Sequence, residues 1–429
     1  MGTGNLWNTK IFAVLLGLII FGGILALTYS LSPNFTTISS TGEIATNKMT
    51  ARSGSPTDIQ NAVNTVYSLG GGVVYVPAGN FTFNPTQHSD WNYPYGVMIP
   101  GGVSVIGAGI NKTILTETIN QGSRNDPAMF VAHDGHFMTS PKWQPTNKPV
   151  RISGFTFKGF VVNETATPNS YAVSIRTIKD YRVDHNMFID FPGAGIGVDN
   201  HNGGISYANN ILQGVIDHNV FTNPYKLIPN KGTLWGYGII VGGQISNDNE
   251  SGSWLPITNY LGQYKNNIAY IENNNFTLCR HGIASNTGGW YVARYNRFTN
   301  GLPYAQIDVH GFNGGRGGEM YSNTIIGPYQ QQIGIQFRGG GGVVFNNTIL
   351  NLSTGVEIFV DPGSYPSYWL VNKLYVWENT VSAGKTQFVN GAPASYTENV
   401  NYFLRAPNQA QDGFTYTPYT YPHPLTLQP

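Results

Sequence analysis

Residues 56–82 read PTDIQNAVNTVYSLGGGVVYVPAGNFT, and the order of elements in this stretch decides the fold. Ile59, Ala62, Val63 and Val66 recur at i, i+3, i+4 and i+7, the spacing of one helical face. Asp58 fits an N-cap. Gly70-Gly71-Gly72 ends the helix, Val73-Val74-Tyr75-Val76 forms a strand, and Pro77-Ala78-Gly79 stops it. An ordinary helix–strand pair of an α/β domain would open the same way, so the remainder of the chain has to separate the two.

From Asn186 onward the chain repeats. An Asn with an apolar residue two places later recurs at Asn186, Asn219, Asn274, Asn296, Asn323, Asn347 and Asn379. The gaps are 33, 55, 22, 27, 24 and 32 residues. The shorter gaps fit one coil of a β-solenoid, and the longer ones need inserted loops or an extra coil. Three residues before each Asn stands Val183, Ile216, Ile271, Ala293, Met320, Val344 or Val376. Asn tolerates a left-handed bend, and stacked Asn amides bond from coil to coil.

A second strand family follows each Asn, for example Gly195-Ile196-Gly197-Val198-Asp199 and Gln306-Ile307-Asp308-Val309-His310. Alternation sends the second and fourth residues inward and the third and fifth outward. The third-position row then reads Gly197, Ile240, Ala284, Asp308, Gln336, Glu357, and the fifth reads Asp199, Gly242, Asn286, His310, Arg338, Phe359. Polar groups therefore collect on the last coils.

Composition agrees. Charged residues are 10% of the 429, against roughly 25% in ordinary soluble domains. With 53 Gly and 26 Tyr, the chain reads as all-β and rich in turns. A net charge of +1 leaves no electrostatic footprint for nucleic acid, so no such partner is expected. The single Cys279 excludes an intramolecular disulfide and reads as a buried filler.

The opening helix–strand–turn, the segment Tyr95–Gly109 and the Asn repeat resemble the pectate-lyase-like superfamily over residues 55–405. The resemblance implies an all-β right-handed parallel β-helix with an N-terminal capping helix. It also implies extracellular action on polysaccharides, by lyases, hydrolases, esterases or epimerases. Calcium becomes a candidate cofactor through the family. The Asp cluster of its calcium-dependent lyases and the paired aspartates of its polygalacturonases are not found in this chain, so no family catalytic residue carries over.

Asp308, His310, Arg338 and Glu357 are the candidate catalytic residues. Arg316, Glu319, Gln336, His281 and Arg280 are the candidate substrate contacts, and no metal ligands are assigned. A lyase needs a base and a cation that holds a uronate carboxylate. A hydrolase needs two carboxyl groups, and Asp308 and Glu357, two coils apart, would lie ~9.6 Å apart at the strand spacing. His310 fits the base, and Arg338 or Arg316 the clamp. The glycine-rich loop 311–319 is expected to bring Arg316 and Glu319 beside this patch. Trp290, Tyr291, Tyr304 and Tyr329 offer ring faces for sugars. The strip Asp184, Asp217, Glu272, Arg294 falls on another face, and His185 and His218 read as repeat consensus rather than ligands.

The expected layout is a cytoplasmic tail at 1–10 and a transmembrane anchor or signal segment at 11–30. A Ser/Thr-rich stalk at 31–54, the β-helix at 55–405 and an extended C-terminal strap over the last coil at 406–429 complete it. The uncharged run from Ile11, ~20 residues long, is enough to span a bilayer. Asn-x-Ser/Thr sequons such as Asn80, Asn111 and Asn351 are compatible with glycosylation. This layout puts the bulk of the chain outside the cell, anchored or secreted, with a glycan as partner. A non-catalytic adhesin, envelope or filament protein that self-associates is the competing expectation.

Overall fold

The computed structural model describes residues 47–86, 88–89, 93–118, 127–134, 147–159, 170–199, 212–223, 236–242, 261–263, 268–286, 288–310, 316–328, 332–360 and 369–428. Three parallel sheets carry the fold. The first has 12 strands, from Asn47–Thr50 to Tyr402–Phe403; the second and third have 10 each, from Gly79–Phe83 to Thr380–Val381 and from Tyr95–Pro100 to Thr386–Asn390. A coil visits them in turn, as in Trp290–Arg294, Arg297–Thr299 and Ile307–Val309. This is a parallel β-helix, consistent with the right-handed coiling that parallel crossovers adopt.

Helix α1, Pro56–Ser68, caps the N-terminal end and buries the four residues expected, Ile59, Ala62, Val63 and Val66. Its N-cap is Ser55 rather than Asp58, because the Ser55 hydroxyl accepts from the Asp58 amide at 3.2 Å. Asp58 instead accepts from the Ser53 hydroxyl at 2.5 Å. The Gln60 amide donates to Met98 O at 3.1 Å and accepts from Met98 N at 2.8 Å. It thereby stands in for a missing strand at the edge of the third sheet. A strand at Asn47–Thr50 pairs with Gly72–Val76, so the first sheet starts inside the stretch expected as stalk.

The interior is a set of stacked rows. Phe188, Phe221, Phe276 and Phe298, each the middle residue of a three-residue strand, stack at 4.7 Å between centroids. Each ring is worth about 1.5–3 kcal/mol of burial, with about 0.5–1.5 kcal/mol more per pair.

At the turn between the first and second sheets, Asn186, Asn219, Asn274, Asn296, Asn323, Asn347 and Asn379 form a continuous amide ladder. Each Nδ2 donates to the Oδ1 of the next Asn, at 2.9–3.2 Å. The left-handed residue is not the ladder Asn but the one before it. His185, His218, Asn273, Tyr295, Ser322, Asn346 and Glu378 all have φ between 50° and 57°. The ladder Asn is placed inward by that bend and spends its amide on neighbouring coils.

The C-terminal segment is not confined to the last coil. It crosses the outer face of the first sheet from strand Val371–Trp377 back to strand Lys179–Asp184. Asp412 accepts from Tyr375 at 3.0 Å and pairs with Arg405 at 2.6 Å. Arg294 donates to Tyr419 O and Thr420 O at 2.7 and 2.8 Å. The His423 amide donates to Glu272 at 2.9 Å, and Arg182 reaches Gln428 O at 2.9 Å. The buried strip Asp184, Asp217, Glu272, Arg294 lies largely beneath this cover. His423 is structural, accepting from the Leu425 amide at the start of a short 3-10 turn.

Among the described residues no helix is long and apolar enough to cross a membrane. Residues 11–30, expected as an anchor, lie outside the described residues, as do loop residues 311–315 and Tyr329.

Candidate functional site

The outward row expected from the repeat is the row found in the third sheet. Gly197 pairs with Ile240, Ile240 with Ala284, Ala284 with Asp308, Asp308 with Gln336, and Gln336 with Glu357. Beyond it stands Val389. His310 follows strand Ile307–Val309, and the Arg338 amide bonds to Val309 O at 2.9 Å one coil on. Both are partly buried.

Asp308 is 0% exposed. Arg338 holds it with Nε on Oδ1 at 3.1 Å and with Nη2 on Oδ2. His281 Nε2 stands 3.8 Å from Oδ2. Burial raises the Asp308 pKa, but Arg338, His281 and His310 outweigh it and hold the carboxyl below its usual value. Burial drives His281 down to about 4, against the pull of Asp308, so its imidazole is neutral at neutral pH. Nδ1 lies 2.6 Å from Ala305 O, a pure acceptor, and therefore carries the proton. The lone pair of Nε2 is left on the Asp308 side.

One coil on, Gln336 Nε2 donates to Glu357 Oε2 at 2.6 Å, and both side chains are partly exposed. Asp308 thus positions Arg338, while Glu357, Gln336, His310 and Arg338 have surface to offer. Arg280 lies over Tyr304, 4.6 Å from the ring centroid, beside the His281–Tyr237 edge contact at 5.0 Å. Arg280 and His281 precede their strand, which starts at Ile283.

Not every candidate joins this group. Glu319 lies on the first sheet under the C-terminal segment, 0% exposed, accepting from Tyr416 at 2.5 Å and from the Gly262 amide at 2.9 Å. The register explains the separation: Glu319 pairs with Val292 and Val343, strands of the first sheet rather than the third. Arg316, 3% exposed, opens that same first-sheet strand, its amide on Gly289 O. Trp290 and Tyr291 are fully buried and offer no face, whereas Tyr304 is 39% exposed. Among the described residues no group of three or more His, Cys, Asp or Glu gathers to hold a metal. Cys279 is buried filler, its thiol pushed up to about 12 by burial.

Tyr237 is the residue that sequence reasoning missed. It precedes the glycine of its strand, one place upstream of the five-residue repeat, as His281 precedes Gly282. Extending the repeat by that one position brings the two together.

No family model matches the chain, and no curated protein sequence matches it. Among solved structures, the A-module of a mannuronan C-5 epimerase from Azotobacter vinelandii is 13% identical, covers 80% of this chain and 76% of its own, and has a TM-score of 0.36. An exopolygalacturonase from Thermotoga maritima is 13% identical over 79% of this chain and 88% of its own, at a TM-score of 0.43. A tailspike protein of an E. coli bacteriophage, in complex with a pentasaccharide, is 12% identical over 82% and 67%, at 0.36. Likenesses this low say nothing of activity. The chain's own three stacked parallel sheets make it a parallel β-helix.

Proposed function

We propose that this chain binds an acidic polysaccharide on the outer face of the third sheet and removes a proton from it. The observation that carries this reading is the buried Asp308–Arg338 pair set beside Gln336–Glu357, in a chain with only 10% charged residues. Asp308 is sealed from solvent and bound to Arg338, which leaves Glu357 as the accessible carboxylate of the group. Two-carboxylate hydrolysis is therefore less well supported than chemistry with one base and a cation. Arg338 would neutralise a uronate carboxylate, and His310 would take the proton next to it. The electron pair then either expels the neighbouring glycosidic oxygen, as in a lyase, or recaptures a proton from the other side, as in an epimerase. His281, Arg280 and Gln336 would contact or orient the sugar. An extracellular location, with residues 11–30 in a membrane, belongs to the same reading.

The test incubates the purified protein with acidic and neutral polysaccharides. It follows the ultraviolet absorbance of unsaturated ends, new reducing ends, and exchange of sugar C–H protons with deuterated water. Absorbance means elimination, exchange alone means epimerisation, and reducing ends alone mean hydrolysis. His310→Ala should cost about 10²–10⁴-fold in rate. If His310→Ala and Arg338→Ala leave turnover and glycan binding intact, the site is not catalytic.

One observation favours a non-catalytic surface role instead. The outward rows of the second sheet are almost uncharged: among the described residues they carry Lys158 and Arg297, with Met187, Val220, Ile326, Leu350 and several Thr at other positions. Silence in all three assays, together with concentration-dependent self-association, would establish that role.

A further inference from the structure

Two imidazoles stand on adjacent coils at the turn between the first and second sheets, away from the candidate site. The rings of His185 and His218 are stacked with centroids 5.2 Å apart and planes 4° from parallel. Their side chains are 57% and 47% exposed. Each ring is bonded from behind through Nδ1, His185 to Asp184 at 2.7 Å and His218 to Asp217 at 2.9 Å, and both carboxyls are 0% exposed. Those carboxylates are themselves fixed. Arg151 grips Asp184 with two bonds of 2.8 Å, and Arg182 grips Asp217 with bonds of 3.1 and 3.0 Å.

A carboxylate accepts, so each Nδ1 is the protonated nitrogen and each Nε2 keeps its lone pair. This is the outer-shell arrangement that orients metal-ligating histidines and raises their basicity. The turn does not explain the histidines. The same left-handed position is filled on other coils by Gly154, Asn273, Tyr295, Ser322, Asn346 and Glu378. Left-handed backbone favours Gly and Asn, and His has no advantage there over Asn.

The geometry points to a surface site for one divalent transition-metal ion, held by Nε2 of His185 and Nε2 of His218 with solvent in the remaining positions. Metal–nitrogen bonds of about 2.0–2.1 Å require the two nitrogens to come within about 4 Å of each other. The lone pairs lie in ring planes only 4° from parallel, so they converge on one ion when both rings turn toward each other about χ2, a side-chain motion that their exposure permits. Imidazole ligands suit Cu²⁺, Ni²⁺ and Zn²⁺, and Cu²⁺ should bind most tightly of the three. Calcium, which takes oxygen ligands, should not compete.

The test titrates the purified protein with Cu²⁺ and reads binding by calorimetry and coordination by electron paramagnetic resonance. His185→Ala, His218→Ala and the double variant supply the background of the other histidines in the chain. Both positions are exposed, so the variants should fold, which circular dichroism checks. The expected result is one tight equivalent with a two-nitrogen signature, lost in either single variant and undisturbed by excess calcium. Asp217→Asn should weaken it by about 10–100-fold without removing a ligand. A wild type that binds no more tightly than the double variant overturns the proposal. So does a tight equivalent that survives either single substitution.

Discussion

Replacing Glu319 by Gln should remove a pH dependence from the seam between the C-terminal segment and the first sheet. The Glu319 carboxyl is fully buried there, with the Tyr416 hydroxyl at 2.5 Å and the Gly262 amide at 2.9 Å. The charged and titratable groups facing it are Tyr416 on the covering segment and Arg294, Tyr270 and Tyr321 on neighbouring strands. Burial pushes its pKa up to about 7, while Tyr416, Gly262 and Arg294 pull the other way. The folded value stands above the unfolded one, so the folded chain keeps a proton that the unfolded chain gives up. The stability from this group is full below about pH 4.5 and is lost as the pH rises through about 7. At about 1.4 kcal/mol per pH unit, that interval is worth roughly 3 kcal/mol. His423 does not confuse the measurement, because burial drives it down to about 3. Hydrogen exchange of peptides covering residues 414–420 should quicken between about pH 5 and about pH 8, beyond the intrinsic rate change, and urea midpoints should fall in parallel. Glu319→Gln should lessen both, leaving the part that belongs to Glu272, whose carboxyl burial also pushes up under the same segment. The reasoning fails if the Gln variant keeps the wild-type dependence, or if the wild type shows none.

Two further substitutions probe the solenoid. Asn274→Ala deletes donors to Ile216 O, Glu272 O and Asn296 and an acceptor used by Asn219. With about 1–3 kcal/mol for each buried group left unpaired, it should cost about 3–5 kcal/mol, read as a lower denaturant midpoint. Gly342→Ala should be worse, because φ is +141° and a Cβ would stand 1.8 Å from Gly318 O on the coil below. Little folded protein is expected, and a soluble variant with wild-type melting would contradict the close approach. At the candidate site, Asp308→Asn should reduce activity through Arg338 rather than through loss of a reacting carboxyl. The Asn variant should therefore lose substrate affinity more than Glu357→Gln does, which Michaelis constants would decide.

Much of the solenoid is legible in the sequence because a repeat fixes its own register. Once Ile196, Ile239, Ile283 and Ile307 are read as inward, Asp308, Gln336 and Glu357 must fall on one outward row, and they do. The seven ladder asparagines are legible for the same reason. The helix cap lies three residues from its expected place, because Ser55 and Asp58 both offer an oxygen and only backbone geometry chooses between them. Glu319 falls on a different face from the one expected, because a glycine-rich loop carries no period from which to count.

Alternation and coil stacking are local rules repeated many times. They suffice to read from the residues the β-helix, its repeat, and the outward row that groups Asp308 with Gln336 and Glu357. What each side chain faces is settled only in three dimensions. Arg338 seals Asp308, Tyr237 lies against His281, and Asp184 and Asp217 back a histidine pair. Folding also lays residues 404–428 over the first sheet, from Tyr375 to Arg182. Those pairings join residues whose separation in sequence, 30 for Arg338 and Asp308 and 246 for Arg182 and Gln428, follows no period. They depend on burial and on the path of loops and tail, which a repeat does not encode.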